Sequence, residues 1–203
     1  MPYFISRMFF KILLHILCKL EITGRENMPQ KGPFILASNH ISYADPAVVG
    51  VACSALPVSF MAKKELFNNT LAGRWIKAMG CIPTDRASGS FEPLKKAVRQ
   101  LKKGEVVALF PEGTRSLDGK LGKAEAGIGL IAIKSGMNII PIYVSGTDKV
   151  LPRGQKHITP NKVRAKIGCP VNIEECKNIS DKRKSYECVG EKVMEAIRRL
   201  RDD

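Results

Sequence analysis

Residues 33–56 read PFILASNHISYADPAVVGVACSAL. The first six are apolar or small and predict a short buried strand over 33–38. Asp45-Pro46 then opens a predicted helix over 46–56. Proline is tolerated at the first helical position, and aspartate just before it is a favoured N-cap. His40 and Asp45 bracket the turn between the two elements. In an unbroken helix, residues five apart point roughly 140° away from each other. Across a tight strand-to-helix turn, the carboxylate can instead fold back toward the imidazole. Such a site lies at the carboxyl end of a strand, where open α/β sheets bind their ligands.

The alternation continues on both sides of this stretch. An extended run is predicted over 21–27. Further strands are predicted over 58–62, 81–84, 105–110, 138–144, 163–167 and 169–173. Helices are predicted over 71–79 (stopped by Gly80), 91–103 (closed by Gly104), 127–135 and 187–201. The pattern defines an α/β fold: a mixed, largely parallel sheet flanked by helices. Pro141, inside the apolar run Ile140-Pro141-Ile142, predicts an edge position or a bulge.

Residues 4–20, FISRMFFKILLHILCKL, carry Arg7, Lys11, His15 and Lys19 at intervals of four, one polar stripe on an otherwise apolar helix. The apolar run is too interrupted for a spanning helix, and no small-residue cleavage site follows it. Two uses fit. The helix lies in the bilayer interface, or it packs on the protein's own core. The chain therefore divides into an amphipathic, membrane-associating helix over 1–22 and a main domain over 23–203.

Lys and Arg total 33 against 19 acidic residues, a formal net charge of +14. This balance implies an anionic partner, or a soluble basic protein with solvated faces. Nucleic acid is not expected. There is no helix-turn-helix pattern, no zinc-finger spacing and no run of aromatics among basic residues. The six cysteines form no C-x-x-C and read as reduced thiols in a reducing compartment. The three histidines lie far apart without a second ligand at zinc spacing, so no metal site is expected.

Three groups of residues could carry chemistry. A carboxylate that accepts from one imidazole nitrogen leaves the other as a base. His40 and Asp45 fit that pair, although the spacing alone fits a helix cap beside a surface histidine equally well. Phe110-Pro111-Glu112-Gly113-Thr114-Arg115-Ser116 follows a strong strand. Gly113 permits a sharp turn there, and the Arg115 fork matches phosphate geometry. The same segment also fits an ordinary turn with a solvated arginine. Lys63 and Arg86, with Glu65 nearby, follow strand-like segments and could reach the sheet edge that holds His40, or be scattered surface charge. A G-x-S-x-G elbow, a G-x-x-x-x-G-K-[ST] loop and a G-x-G-x-x-G fingerprint are all missing from the sequence.

In their order, Asn39-His40-x4-Asp45, Lys63-x-Glu65 with Gly73, Gly80 and Arg86, Phe110 to Ser116, and Ile140-Pro141-Ile142 resemble the glycerolipid acyltransferase family. The likeness is greatest to its bacterial 1-acyl-sn-glycerol-3-phosphate acyltransferases and spans roughly residues 33–146. The resemblance implies acyl transfer from a thioester of coenzyme A or acyl carrier protein to the 2-hydroxyl of lysophosphatidate, forming phosphatidate, with no cofactor. It implies His40 as base, Asp45 as its partner, and Lys63, Arg86 and Arg115 on the acceptor phosphate. Glu112 and Gly113 fall to the acceptor's glycerol pocket, Thr114 to substrate binding, and the Pro141 strand to the acyl-donor side. It also implies a monotopic or peripheral place on anionic lipid at the cytoplasmic face of the cell membrane. Two positions depart from the family pattern: Thr70 stands where proline is frequent, and Glu125 where lysine is frequent. Acylation of another acceptor (glycerol 3-phosphate, another lysophospholipid or a lipid amine), a non-catalytic lipid-binding protein and a thioesterase or lipase are the competing readings.

Overall fold

The computed structural model describes residues 2–53, 56–68, 70–85, 89–152, 155 and 157–202. In chain order the elements are α1 (Pro2–Cys18), β1 (Glu21–Thr23), β2 (Ile35–Ser38), α2 (Asp45–Ala52), β3 (Val58–Lys63), α3 (Leu71–Ala78), β4 (Ile82–Thr84) and α4 (Glu92–Lys102). There follow β5 (Val106–Leu109), α5 (Gly127–Ser135), β6 (Ile139–Ser145), α6 (Thr147–Val150), β7 (Arg164–Ile167), α7 (Glu174–Lys177) and α8 (Lys182–Asp202). The strands form one sheet in the order β1-β7-β6-β2-β5-β3-β4. Every neighbouring pair is parallel except β6–β7. The fold is thus the mixed, largely parallel α/β sheet expected.

Both faces of the sheet are covered, which is why its strands read as apolar runs rather than as alternating ones. On β2, Leu36 joins the core beneath α1 and α2, with Val106, Ala108, Ile140 and Ile142. Ile35 and Ala37 point the other way, into the core shared by α4, α5 and α8, with Val107, Leu109 and Ile139. This period of two is what a pleated strand imposes.

α1 packs on the protein's own core and keeps an exposed apolar side. Tyr3, Leu14 and Cys18 are buried in the sheet's core. Phe4, Ile5, Met8, Phe9, Ile12 and Ile16 are exposed, Ile16 to 74%. The polar stripe is broken, however. Lys11 and His15 are exposed, but Arg7 turns to the half-buried side and its Nη1 donates to the Cys53 carbonyl at 3.3 Å. Intervals of four drift around a helix of 3.6 residues per turn, so the four residues do not share one line.

Four other expectations change. Pro141 lies in an interior strand, paired opposite Ala37 of β2, neither at an edge nor at a bulge. Its carbonyl accepts from Gly168, the residue just past β7, at 2.9 Å. The imide nitrogen faces the same side as that carbonyl, beyond the last β6–β7 pair, so no ladder bond is lost there. Residues 169–173 form no strand. The Val171 N–H donates to Ile139 at 2.9 Å, but Pro170 beside it has no N–H to extend the ladder. Cys176 and Cys188 are not thiols but a disulfide with Cα atoms 5.6 Å apart, because α7 folds back against α8. α8 also begins earlier than its apolar pattern suggested. The Asp181 side chain accepts from the N–H groups of Arg183 and Lys184 and starts the helix there.

The packing of α5 on α8 depends on Gly129. A Cβ there would stand 2.2 Å from the Tyr186 carbonyl oxygen and 2.5 Å from its Cα, both backbone atoms. Gly129→Ala should therefore lower unfolding stability by about 1–3 kcal/mol, the usual cost of overpacking. Urea denaturation checks this. A midpoint and slope equal to those of the parent would show that the two helices have slack.

Candidate active site

β2 leaves the sheet through Asn39, which is buried. Its side-chain amide donates to the Val144 carbonyl at 2.9 Å and accepts from the Val144 N–H at 2.7 Å. The side chain thus continues the β2–β6 pairing for one step after the backbone has turned away. That step fixes the start of the loop in which His40 stands.

Within the loop, Asp45 Oδ2 accepts from His40 Nδ1 (2.8 Å), the Ile41 N–H (2.7 Å) and the Ser42 N–H (2.8 Å). Oδ1 accepts from the Thr147 hydroxyl. The carboxylate has no exposure to solvent, whereas the His40 side chain keeps 17%. Asp45 does not cap its helix: the N-cap position is Ala44, and no side chain bonds there. The loop's own N–H groups win the carboxylate, so it turns back from α2. The His40 ring stacks on Phe110 with centroids 4.0 Å apart and an interplanar angle of 18°. With Nδ1 engaged and one face covered, Nε2 is left to meet a substrate proton.

The turn after β5 locks onto this loop. Glu112 Oε1 accepts from the His40 N–H at 3.2 Å, and Oε2 from the Gly122 N–H at 3.0 Å. The Ser116 N–H donates to the His40 carbonyl at 2.7 Å. Gly113 takes φ 68°, the turn expected of it. The Arg115 guanidinium lies 3.6 Å from the centre of the Tyr43 ring, held by cation–π attraction next to the loop that carries His40.

β2, β5, β3 and β4 are neighbours and parallel, so their carboxyl ends share one edge of the sheet. His40 and Asp45 follow β2, Glu112 to Arg115 follow β5, and Lys63 closes β3. The structure therefore joins His40, Asp45 and Glu112 by direct bonds and brings Arg115 against Tyr43 of the same loop. Thr114 and Lys63 are exposed at that edge. Arg86 follows β4 and lies outside the described residues. Thr70, at the family's proline position, accepts from the Gly73 N–H at 3.0 Å and caps α3. Glu125 packs its side chain beside Gly113. Thr147 is a site residue that the sequence reading did not find, because its partner Asp45 is 102 residues away.

Beside the loop is an apolar cavity of about 380 Å³. Leu13, Leu14 and Leu17 of α1, Ala47 and Val51 of α2, Phe60 of β3 and Met79 after α3 line it. Tyr43, Ala44 and Pro46 form its side toward the dyad. The Phe60 and Phe110 rings lie nearly parallel, 6.4 Å apart, and Phe110 carries His40. Burial pushes the Tyr3 phenol in the wall up to about 12. Among the described residues, no group of three or more His, Cys, Asp or Glu could hold a metal ion.

A largely parallel α/β sheet with a histidine–carboxylate dyad at its carboxyl edge, a guanidinium nearby and an apolar cavity alongside defines a class suited to amphiphilic molecules. The chain belongs to the acyltransferase family, whose model matches residues 19–145. It is 33% identical over 174 residues to a chloroplastic 1-acyl-sn-glycerol-3-phosphate acyltransferase of Arabidopsis thaliana, covering 84% of this chain and 48% of that protein. It is 30% identical to a 1-acyl-sn-glycerol-3-phosphate acyltransferase of Streptococcus pneumoniae, covering 98% of this chain and 75% of that one. The chain spans about half the length of the plant relatives it matches. The crystal structure of the 1-acyl-sn-glycerophosphate acyltransferase PlsC from Thermotoga maritima superposes with a TM-score of 0.81 at 29% identity, covering 99% of this chain and 80% of that chain.

Glu112 offers a test of how the two loops are joined. Both of its oxygens face N–H donors, so Glu112→Gln sets an amide NH2 against one of them. Stability should fall by about 1–3 kcal/mol, read as a lower melting temperature. A variant that melts with the parent would mean that this carboxylate does not tie the loops together.

Proposed function

We propose that the chain transfers an acyl group from a thioester to the 2-hydroxyl of 1-acyl-glycerol 3-phosphate, forming phosphatidate. One observation carries the reading. The His40–Asp45 dyad shares a loop with Tyr43, which lies under Arg115 and also lines the apolar cavity. A base, a phosphate-binding cation and room for hydrocarbon therefore meet within one turn of chain. The names of the relatives support the same acceptor.

In the proposed mechanism, Nε2 of His40 takes the proton of the 2-hydroxyl as that oxygen attacks the thioester carbonyl carbon. The carbon–sulfur bond breaks, and the departing thiolate takes the proton back from the imidazolium. Asp45, against Nδ1, balances the charge on the ring while the proton is held. No acyl group is attached to the protein at any stage. Lys63, Arg86 and Arg115 bind the acceptor phosphate, and Gly113 and Thr114 border its glycerol. Glu112, with both oxygens engaged, serves that pocket by holding its walls. The donor is a thioester of coenzyme A or of acyl carrier protein.

We further propose that the protein works on anionic lipid at the cytoplasmic face of the membrane, seated by α1. The exposed apolar side chains of α1 continue onto α3, where Leu71 is 85% exposed. Trp75 of α3 joins the two helices by donating to the Ser6 hydroxyl at 2.8 Å. Exposed apolar patches of this extent mark membrane or protein contacts, and the net charge of +14 favours anionic lipid. Among the described residues, no helix is long and apolar enough to cross a membrane.

Acyl transfer to lysophosphatidate, assayed with both donors, tests the activity. His40→Ala should lower kcat by roughly a thousandfold in a protein that still folds. Turnover equal to the parent's would overturn the mechanism. Preference for a phosphate-free acceptor would overturn the phosphate assignments, and fast thioester hydrolysis without acceptor would favour a hydrolase.

The seating of α1 is tested separately. Because α1 also builds the core, deleting it would confound binding with folding. Phe9→Gln, Ile12→Gln and Ile16→Gln together touch only its outer side. They should weaken cosedimentation with anionic vesicles at least about tenfold and leave the melting temperature in place. Undiminished cosedimentation would assign membrane binding to another surface.

A further inference from the structure

We propose that Thr147 is a positioning residue for the base: its hydroxyl holds the Asp45 carboxylate so that one oxygen faces His40 Nδ1. The inference rests on the reading of His40 as the base and assigns a further residue to that site. Three donors share Asp45 Oδ2, and all three belong to the loop running from His40 to Ser42. Oδ1 has one hydrogen-bond donor among the described residues, the Thr147 hydroxyl, which arrives from the far end of β6. Neither residue has any exposure, so bulk water does not reach them.

The consequence lies in the rotation of the carboxylate. A buried oxygen without a donor costs more than an average hydrogen bond contributes. With Thr147 in place, each oxygen is satisfied in one orientation, and that orientation presents Oδ2 to the imidazole. Without the hydroxyl, Oδ1 regains a donor only if the carboxylate turns about its Cβ–Cγ bond and competes for those now on Oδ2. The imidazole would then lose its fixed partner while the loop backbone stayed in place.

The position of Thr147 is itself tightly set. Gly146 before it takes φ 86°, and a Cβ there would stand 2.1 Å from the Lys162 carbonyl oxygen. The Gly146 carbonyl accepts from Asn161 at 3.2 Å, and the Thr147 carbonyl accepts from the Leu151 N–H at 2.9 Å. Thr147 therefore delivers its hydroxyl from a backbone fixed on both sides. The requirement is for a hydroxyl rather than for volume, since valine has the same branched shape.

The test compares Thr147→Val with Thr147→Ser in the full chain. T147V should lower kcat about tenfold to a hundredfold, the rate equivalent of one buried hydrogen bond. KM for lysophosphatidate should change less than about twofold, because the acceptor is not touched. T147S should stay within about threefold of the parent in kcat, since it keeps the donor. Proton NMR gives a readout independent of turnover: the His40 Nδ1–H signal, assigned by its loss in H40A, should move or broaden in T147V and keep its place in T147S. Should T147V fail to fold, T147A against T147S poses the same question at a smaller size. Parental kcat with an unmoved signal in T147V would overturn the proposal, as would a T147S as slow as T147V. Parental turnover in H40A would instead overturn the base reading itself, so the two failures are distinguishable.

Discussion

A carboxylate removed from water has to find its donors inside the protein, and Asp45 finds four. Two are backbone N–H groups of its own loop, one is the imidazole, and one comes from the segment after β6. This convergence bends the chain between β2 and α2 back on itself. It also explains why Asp45 does not cap α2, although its place before a proline favours that role. A group already serving two N–H donors and a histidine has no reason to turn outward to the helix end. The geometry of His40 is thus a by-product of satisfying one buried acid.

A second acid repeats the device. Glu112 spends its oxygens on the His40 N–H and the Gly122 N–H, joining the loop after β2 to the turn after β5. Because β2 and β5 are parallel neighbours, their exits lie side by side, and Glu112 together with the Ser116–His40 backbone bond fastens them. The sheet supplies the proximity and the buried acids supply the register. The side chains left for chemistry, His40 Nε2 and the Arg115 fork, are the ones that neither acid consumes.

Much of this was legible in the sequence, and the reasons differ by element. Apolar runs of four to seven residues between helical stretches announced the strands, because a sheet covered on both faces needs no polar alternation. The placement of His40, Lys63 and Glu112 on one edge followed from their positions after strands. What stayed hidden depended on partners distant in sequence. Thr147 carries no local mark, and the motif that includes Asn39 does not reveal its bond to Val144, since both act on residues about a hundred positions away. The interior place of Pro141 depends on β7 ending where it does. The Cys176–Cys188 bridge depends on α7 turning back on α8, and a spacing of 12 does not signal it. Arg7 shows a different limit: intervals of four suggest one stripe, yet the helix rotates the first member inward.

α1 presents apolar side chains in nearly every direction. Its inner side is cavity wall and core, and its outer side is exposed hydrocarbon. An ordinary amphipathic helix has a permissive face on which sequence drifts freely. On α1 that face shrinks to a narrow band around Lys11 and His15. A substitution on the inner side alters the space open to hydrocarbon, and one on the outer side alters what the helix can rest against. A change that rolled the helix by one residue, about 100°, would do both at once. The tolerance of this segment to mutation should therefore resemble that of an interior element, although half of it faces outward.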